Sequence, residues 1–303
     1  PRERAFIAEA AYAVLRRKRS LAAWIGPEAN TKQLVLAALV RHCGVSQRML
    51  EAAVSKRDAE WLAELKAKPE PTFSLAEQTE LPDWLVERLG ALMPEAELLA
   101  LTRALNQPAP LDLRVNALKA KRDEVLAQLG KEGLNATACP FASEGIRLAG
   151  KPFLAKHPLF LDGSIEVQDE GSQLLGQLLA PKRGEMVVDF CAGAGGKTLA
   201  LAAAMNNKGR IVAMDIEAGR LEKARGRLRR AGVADIVEVR PLSDEKQRRW
   251  LKRQKGTFDA VLTDVPCTGT GTWRRNPDMR WRDYGPGLEA LLPIQAEILD
   301  RVA

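Results

Sequence analysis

The chain has 303 residues, of which 46% are hydrophobic and 28% charged, so it is long enough for a large buried core and for two or three domains. No apolar run approaches the roughly 20 residues that a membrane-spanning helix needs, and the charged opening PRERAFIAEA does not resemble a signal peptide. We therefore expect a cytoplasmic protein with no membrane contact, acting as a monomer. Four scattered cysteines without a Cys-x-x-Cys pair, and only two histidines, argue against a zinc site or a disulfide scaffold, and we expect no metal.

The predicted elements of the first 165 residues fall into two groups. Residues 1–68 have apolar residues at helical spacing and no strand-like alternation, which predicts a small all-α domain. Pro69 and Pro71 then interrupt the helical pattern and indicate a linker. Residues 69–165 predict an α+β domain, with helices at LPDWLVERLGALM and KRDEVLAQLGKEG and strands at LDLRVN, GIRLAG and SIEVQ.

Residues 166–303 begin with a helical segment, DEGSQLLGQLLA, and continue with four strand patterns separated by helices. The strands are MVVDFC, RIVAMD, IVEVRP and FDAVLTDVP. Strands joined by helices of this length predict parallel pairing through right-handed crossovers. The predicted fold class is therefore α/β, with a Rossmann-like sheet that is preceded by a small α+β domain and an N-terminal all-α domain.

A glycine-rich loop, CAGAGGKT, follows the first of these four strands, and its Gly-Lys-Thr ending is similar to that of a triphosphate-binding loop. Such a loop needs the pattern Gly-x-x-x-x-Gly-Lys-Ser/Thr, but the first glycine is replaced here by Cys191. The strand before the loop also ends in Asp189, and a fixed carboxylate would repel phosphates. The sequence therefore argues against a nucleoside triphosphate as the ligand.

The same loop suits S-adenosylmethionine, which has an ammonium group for Asp189 to attract and has no phosphate. Gly193, Gly195 and Gly196 let the backbone pass close beneath a ligand, and the helix that starts near Thr198 offers unpaired amides to the ligand carboxylate. An ordinary tight turn between a strand and a helix is the alternative, because one glycine-rich loop is a weak signal.

Acidic residues also follow the next two strands. Asp215 lies about twenty residues beyond the loop, where doubly wound sheets place an acid that holds ribose hydroxyls. A dinucleotide would suit this acid as well, but the Gly-x-Gly-x-x-Gly order is absent. Asp244, after the third strand, is a candidate for the adenine edge or a solvated loop acid.

The fourth strand leads into the sequence DVPCTGTG, which supplies Asp264, Pro266 and Cys267 at the sheet edge where α/β ligands bind. Carbon 5 of a pyrimidine is a poor nucleophile, so a thiolate must add at carbon 6 before a methyl group can be accepted. A nearby carboxyl group can hold the Watson–Crick edge of cytosine and stabilise the adduct. We therefore predict Asp264 and Cys267 as catalytic residues, whereas Cys43 and Cys139 suit the interior as small hydrophobes.

The net charge of +7 and the isoelectric point near 9.3 suit a polyanion. Three basic segments stand out, RRKR (16–19), KRQK (252–255) and WRRNPDMRWR (273–282); the first two are equally typical of solvated surfaces. The third combines cations with aromatic rings, which suits phosphates and stacked bases. Its predicted RNA-contacting residues are Trp273, Arg274, Arg275, Arg280, Trp281 and Arg282.

These motifs in this order resemble the RNA (cytosine-5)-methyltransferases of the Sun/Fmu type, from about residue 70 to the end. The segments that match are DFCAGAGGKT, AMDIEAGRL and DVPCTGTGTWRRNPDMRW, with LPDWLVERL, LRVN and VQDEGSQL upstream. Residues 1–68 more weakly resemble the NusB-like helical RNA-binding domain of that family. The resemblance implies methyl transfer from S-adenosyl-L-methionine to carbon 5 of a cytosine in RNA, above all ribosomal RNA. The residues it implies at the cofactor are Asp189, Cys191, Ala192, Gly193, Ala194, Gly195, Gly196, Lys197, Asp215, Asp244 and Asp264.

The chain departs from the family in two places. Ala194 replaces a proline of the loop, which loosens the turn without removing a ligand group. In the family the attacking thiol lies in a Thr-Cys motif after a fifth strand, and the cysteine that matches Cys267 assists product release; no Thr-Cys follows Cys267 here. We therefore expect a fragment with an incomplete sheet, which methylates RNA poorly, unless Cys267 itself attacks.

Two other functions remain open on sequence grounds. The first is a non-catalytic RNA-binding or ribosome-assembly factor that keeps a vestigial methyltransferase fold. The second is an amine methylase, which the DVPC sequence disfavours because such enzymes typically place a second proline and an aromatic residue there instead of a thiol.

Overall fold

The computed structural model describes residues 2–26, 28–69, 71–282 and 285–303. The chain forms two compact units: the first comprises Pro1–Ala109 and Thr268–Gly287, and the second comprises Pro110–Cys267 and Leu288–Ala303. The sequence pattern predicted domains over 1–68, 69–165 and 166–303. The divisions differ because periodicity identifies single elements and not which segments pack together. In the described residues, no helix is both long enough and apolar enough to cross a membrane.

The first unit is helical. Its helices are α1 (Arg2–Arg16), α2 (Lys18–Ile25), α3 (Thr31–His42), α4 (Gln47–Glu51), α5 (Lys56–Ala67), α6 (Leu75–Thr79), α7 (Asp83–Gly90) and α8 (Glu95–Leu105). Reciprocal hydrogen bonds between Asn30 and Gln33 fix the start of α3. Leu36, Leu39 and Leu62 are buried in a common cluster, so the apolar stripes of α3 and α5 face one core. The predicted all-α organisation of residues 1–68 is confirmed.

The second unit contains an antiparallel sheet with the strand order β2-β3-β1-β4. The strands are β1 (Leu111–Val115), β2 (Ala136–Ala138), β3 (Gly145–Leu148) and β4 (Ile165–Val167), accompanied by α9 (Arg122–Lys131) and α10 (Pro158–Leu161). Leu113 lies opposite both Ile146 and Val167. Val125 and Leu129 of α9 cover the buried face. Three of these strands match the predicted segments, whereas β2 is missed because its sequence, ATA, lacks a run of large apolar residues.

A parallel sheet with the order β7-β6-β5-β8 forms the other part of this unit. Its strands are β5 (Met186–Asp189), β6 (Arg210–Asp215), β7 (Val237–Pro241) and β8 (Ala260–Leu262). The helices are α11 (Glu170–Leu179), α12 (Gly196–Ala204), α13 (Ala218–Ala231), α14 (Glu245–Lys252) and α15 (Leu288–Val302). The strand order reverses between β5 and β8, and ligands of open α/β sheets bind beside the carboxyl ends at such a reversal. The predicted α/β fold is confirmed.

Strand β8 differs from its predicted extent of 258–266. It spans only Ala260–Leu262, and its residues are half-buried because β5 is the strand with which it pairs in the described sheet. Asp264 and Cys267 therefore lie in the irregular segment beyond the strand, and both are exposed. The predicted strand over 258–266 was therefore too long.

Gly163, between α10 and β4, offers a test of how α13 packs against the antiparallel sheet. Its backbone is left-handed (φ +80°), and a Cβ there would collide with the carbonyl oxygen of Arg230. Gly150 is also left-handed (φ +84°) but faces open space. We expect Gly150→Ala to cost about 1–2 kcal/mol of unfolding free energy from backbone strain, and Gly163→Ala to cost about 1–3 kcal/mol more from the collision. Urea unfolding of both variants measures the difference, and equal losses would contradict this packing.

Candidate active site

A tight glycine turn joins β5 to α12, and two of its glycines are structurally required. Gly193 (φ +56°) and Gly195 (φ +77°) are both left-handed, which other residues rarely adopt. A Cβ on Gly193 would lie 2.6 Å from the Arg220 guanidinium, and one on Gly195 would lie 3.0 Å from the Cβ of Ala224. No side chain caps the start of α12, so among the described residues its first amides have no side-chain acceptor.

Asp215, at the end of β6, closes this turn. One carboxylate oxygen accepts a hydrogen bond from the Gly193 amide at 2.8 Å, and the other accepts one from the Glu217 amide at 2.9 Å. The side chain is nearly buried. The sequence placed Asp215 beside the loop, and the structure brings the two together. It adds a role that the spacing did not reveal, because the carboxylate also fixes the backbone of the turn.

Asp189 lies deeper than the sequence suggested. Its side chain is completely buried and accepts a hydrogen bond of 2.7 Å from the Thr198 hydroxyl, while its second oxygen has no partner among the described residues. Burial raises its pKa to about 6. The expected direct contact with a ligand ammonium is therefore not available in this conformation, because the carboxyl group faces the interior beneath α12.

Two predicted residues from different strand ends meet in an ion pair. The Lys197 ammonium, in the first turn of α12, lies 2.5 Å from a carboxylate oxygen of Asp264, which follows β8. The Lys197 side chain is 14% exposed, whereas that of Asp264 is 48% exposed and can accept further contacts. The pair neutralises an acid that the sequence placed beside the substrate, and it connects the glycine turn with the segment that leads to Cys267.

The two cysteines near this edge differ in exposure. Cys267 is exposed, and the carbonyl of the preceding Pro266 accepts a hydrogen bond of 2.8 Å from Gln295 on α15. Burial, followed by the negative charges of Asp215 and Asp189, raises the pKa of Cys191 to about 11. A thiol with that pKa is protonated at neutral pH. Cys267 is the more exposed of the two, and its role as a nucleophile stays a prediction.

Arg227 of α13 is a site residue that sequence reasoning missed. It donates one hydrogen bond to the carbonyl oxygen of Ala194 in the glycine turn, at 2.7 Å, and another to the Glu166 carboxylate of β4, at 3.0 Å. Glu166 is buried and also pairs with Arg230. The turn is therefore tied to the antiparallel sheet. Its sequence signal was an arginine-rich helix, which is equally typical of a solvated surface.

Asp244 has a local structural role. It caps α14, where its carboxylate accepts a hydrogen bond of 2.8 Å from the Lys246 amide. Its predicted contact with the adenine edge of a ligand stays a prediction.

The residues predicted to contact RNA belong to the first unit, and two of them are buried there. Trp273 is 3% exposed and packs with Leu81 and Leu98. Arg280 is 4% exposed and donates hydrogen bonds to the carbonyl oxygen of Glu80 and the side chain of Asn106. This corrects the expectation for Trp273 and Arg280, which support the interior of the unit instead of presenting their side chains to RNA.

The other four residues of this segment are more accessible. Arg275 and Arg282 are exposed, and Arg282 pairs with Asp278 at 2.9 Å. Arg274 donates hydrogen bonds to the carbonyls of residues 107 and 108. Trp281 is half-buried and donates its indole hydrogen to the carbonyl oxygen of Leu15. Their contact with RNA stays a prediction.

Three potential metal ligands, Asp112, Cys139 and Glu170, lie close together in the second unit. Arg147 forms two hydrogen bonds with Asp112 and a third with Glu170. Burial raises the pKa of Cys139 to about 11, which disfavours the thiolate that a metal would need. This cluster is therefore explained as an ion-pair network around a guanidinium group.

Two regions of the chain match known protein families. Residues 176–303 match the family model for the 16S rRNA methyltransferase RsmB/F, and residues 81–153 match the model for the RsmF/B-like ferredoxin-like domain. These two regions of the chain are therefore similar to the RsmB/F family. The first match includes all four strands of the parallel sheet, and the second includes β1, β2 and β3 of the antiparallel sheet.

Individual curated proteins are also similar to this chain. The probable ribosomal RNA small subunit methyltransferase B of Synechocystis sp. is 37% identical over 232 residues, which cover 76% of this chain and 51% of the relative. The ribosomal RNA small subunit methyltransferase B of Pseudomonas syringae is 37% identical over 223 residues, covering 74% of this chain and 49% of that protein. The chain thus spans about half the length of the curated relatives it matches.

Solved structures show the same fold. The crystal structure of PH0851 superposes with a TM-score of 0.77 at 25% identity, covering 98% of this chain and 73% of that one. A methyltransferase homolog protein from Pyrococcus horikoshii gives a TM-score of 0.60 at 27% identity and covers 75% of this chain and 70% of its own.

The Arg227 contacts can be tested by substitution. Arg227→Met removes two hydrogen bonds and leaves the buried Glu166 with one fewer cation, so we expect unfolding free energy to fall by about 1–3 kcal/mol and the amides of residues 193–196 to exchange hydrogen faster. Arg225→Met, on the same helix, removes only an exposed pair with Glu222 and is expected to cost less than about 1 kcal/mol. If both variants unfold alike and the turn amides exchange at the wild-type rate, the proposed bracing is wrong.

Proposed function

We propose that this chain contains the cofactor-binding and target-binding parts of an rRNA (cytosine-5)-methyltransferase that uses S-adenosyl-L-methionine. The Lys197–Asp264 ion pair is the observation that supports this proposal most, because it connects the glycine turn to the acid-and-thiol segment that follows β8. The similarity to the RsmB/F family supports the substrate class, ribosomal RNA.

The residues of the turn suit the cofactor. Gly193 and Gly195 leave room for close approach, the uncapped start of α12 suits a carboxylate, and Asp215 has carboxylate lone pairs left for ribose hydroxyls. A triphosphate would meet two acids here, Asp215 and Asp264, and the nearby Lys197 is already paired with Asp264. When bound, the cofactor supplies an electrophilic methyl group on sulfur.

The residues beyond β8 suit the pyrimidine. The carboxylate of Asp264 can accept a hydrogen bond from the exocyclic amine of cytosine and share a proton with ring nitrogen 3. The ion pair with Lys197 holds this carboxylate in place. A cysteine thiolate adds to carbon 6, carbon 5 takes the methyl group, the proton on carbon 5 goes to a base, and the thiolate leaves. Cys267 acts at this adduct, either by attacking or by assisting release of the product. The target base must leave its stack to reach these groups.

Cofactor binding gives the first test. We expect isothermal titration to show that the chain binds adenosylhomocysteine and not ATP. Asp215→Asn should weaken binding about tenfold to a hundredfold, because it loses charge-assisted hydrogen bonds worth about 1.5–3 kcal/mol. Asp235→Asn, on an exposed loop after α13, is the matched control and should bind normally. Preferential binding of ATP would contradict the proposal.

The position of the methyl group gives the second test. After incubation of the chain with labelled cofactor and 16S rRNA, we expect any transferred label to appear as 5-methylcytosine, however slow the turnover. Asp264→Asn should reduce transfer at least a hundredfold, since one such group typically contributes about 10²–10³ in rate. Nucleoside mass spectrometry identifies the product. Label on an exocyclic amine or a ribose would reject cytosine-5 chemistry.

The alternative of a non-catalytic RNA-binding or assembly factor has a distinct signature. Such a protein would bind RNA without binding adenosylhomocysteine, and substitution of Asp264 would have no effect on any methyl transfer. The intact Lys197–Asp264 pair and the exposed Cys267 favour the enzyme.

A further inference from the structure

A cavity of about 320 Å³ lies in the first unit. Side chains of α1, the end of α3 and the segment after α8 line it, among them Phe6, Glu9, Arg16, His42 and Asn106. Its volume is at the lower end of the range of small-ligand sites, about 300–1,000 Å³. It is large enough for a phosphate group and part of the attached nucleoside.

Arg16 is the most unusual residue in this cavity. It is 5% exposed, and its guanidinium has few partners: one nitrogen donates weakly to the carbonyl of Arg274 at 3.3 Å and another lies 3.7 Å from the Glu9 carboxylate. Its Nε is buried and has no hydrogen-bond partner in the described residues. A buried donor on a charged group is costly when unpaired, so an acceptor in the cavity would relieve that cost.

Further positive charge surrounds Arg16. Arg17 lines the same cavity, and its side chain forms no hydrogen bond or ion pair within the described part of the chain. Among the described residues of the lining, Glu9 is the one acid, and its side chain is half exposed. Burial, followed by the positive charges of Arg17 and Arg41, lowers the pKa of His42 to about 4. The ring is therefore neutral at physiological pH. The cavity is thus electropositive without counting the histidine.

We propose that this cavity binds a phosphate group, with Arg16 and Arg17 as its donors. Guanidinium groups suit phosphate oxygens in charge and geometry. Phe6, which lines the cavity and is about half exposed, offers an apolar face against which a neighbouring base can stack. This inference deepens the proposed function, because an RNA substrate presents phosphodiesters; a free phosphate or mononucleotide is the other source of the same chemistry.

The two histidines of the chain make a selective test possible. In NMR spectra of the histidine-labelled chain, we expect inorganic phosphate or a single-stranded oligoribonucleotide to shift the ring signals of His42 and to raise its pKa above about 4, because a bound anion favours the imidazolium. His157 lies in the second unit, hydrogen-bonded to Glu132 at 2.6 Å, and its signals should not move.

Variants separate the cavity from general surface charge. Arg17→Ala should weaken the ligand-induced His42 shift about tenfold in apparent Kd, because it removes one charge-assisted contact. Arg4→Ala replaces an exposed arginine of α1 that does not line the cavity, and it should leave the apparent Kd unchanged. Arg17 is partly exposed, so the variant is expected to fold; circular dichroism confirms this.

Each outcome has a defined meaning. Saturation by the oligonucleotide at a lower concentration than by inorganic phosphate supports an RNA phosphodiester as the ligand, and equal or better saturation by phosphate supports a free phosphate source. An unmoved His42 with both probes, or equal effects of Arg17→Ala and Arg4→Ala, overturns the proposal. Adenosylhomocysteine titration of the same sample tests the proposed function separately, so the two can fail independently.

Discussion

The contact between the Lys197 ammonium and the Asp264 carboxylate is the interaction on which the proposed active site depends. Lys197 lies at the start of α12, and Asp264 lies beyond β8, so the pair connects the two strand ends that flank the reversal in strand order. A carboxylate at the surface is charged without a partner, but a carboxylate that binds a nucleobase must also have a fixed position. The lysine supplies that position and at the same time reduces the negative charge around the turn.

The glycine turn itself is held from two sides before any ligand arrives. Asp215 accepts the Gly193 amide from the side of β6, and Arg227 donates to the Ala194 carbonyl while bound to Glu166 of the antiparallel sheet. Ala194 stands where the family typically has proline, which would stiffen the backbone directly. The hydrogen bond from Arg227 to the carbonyl of that same residue offers an equivalent restraint by another route. The antiparallel sheet is therefore part of the support of the turn.

The sequence predicted the sheet and its edge well, because the relevant signals are local. Alternation of apolar strands with helices is visible in any window, and acids after β6 and β8 fall at the same edge once the pairing is parallel. The sequence did not predict which of the acids are buried. Asp189 and Asp264 are both acids that follow a strand, yet Asp189 is enclosed under α12 and Asp264 is open, a difference set by packing.

Long-range partners were the main omission. Arg227 and Glu166 are 61 positions apart, and neither has a pattern that identifies the other. The prediction for the WRRNPDMRWR segment was incomplete for a related reason. Its aromatic and basic residues have the composition of a nucleic-acid surface, but Trp273 and Arg280 make their contacts in the interior of the first unit. Composition indicates which partners a side chain can bind, but it does not indicate which of them the side chain contacts in the folded protein.

A crystal structure of this chain with adenosylhomocysteine would show whether the glycine turn holds the cofactor. We expect ligand density over residues 193–197, with the ribose beside Asp215 and the sulfur directed toward the space between Asp264 and Cys267. Density at any other place on the second unit, or a ligand whose sulfur points away from Asp264, would contradict this expectation.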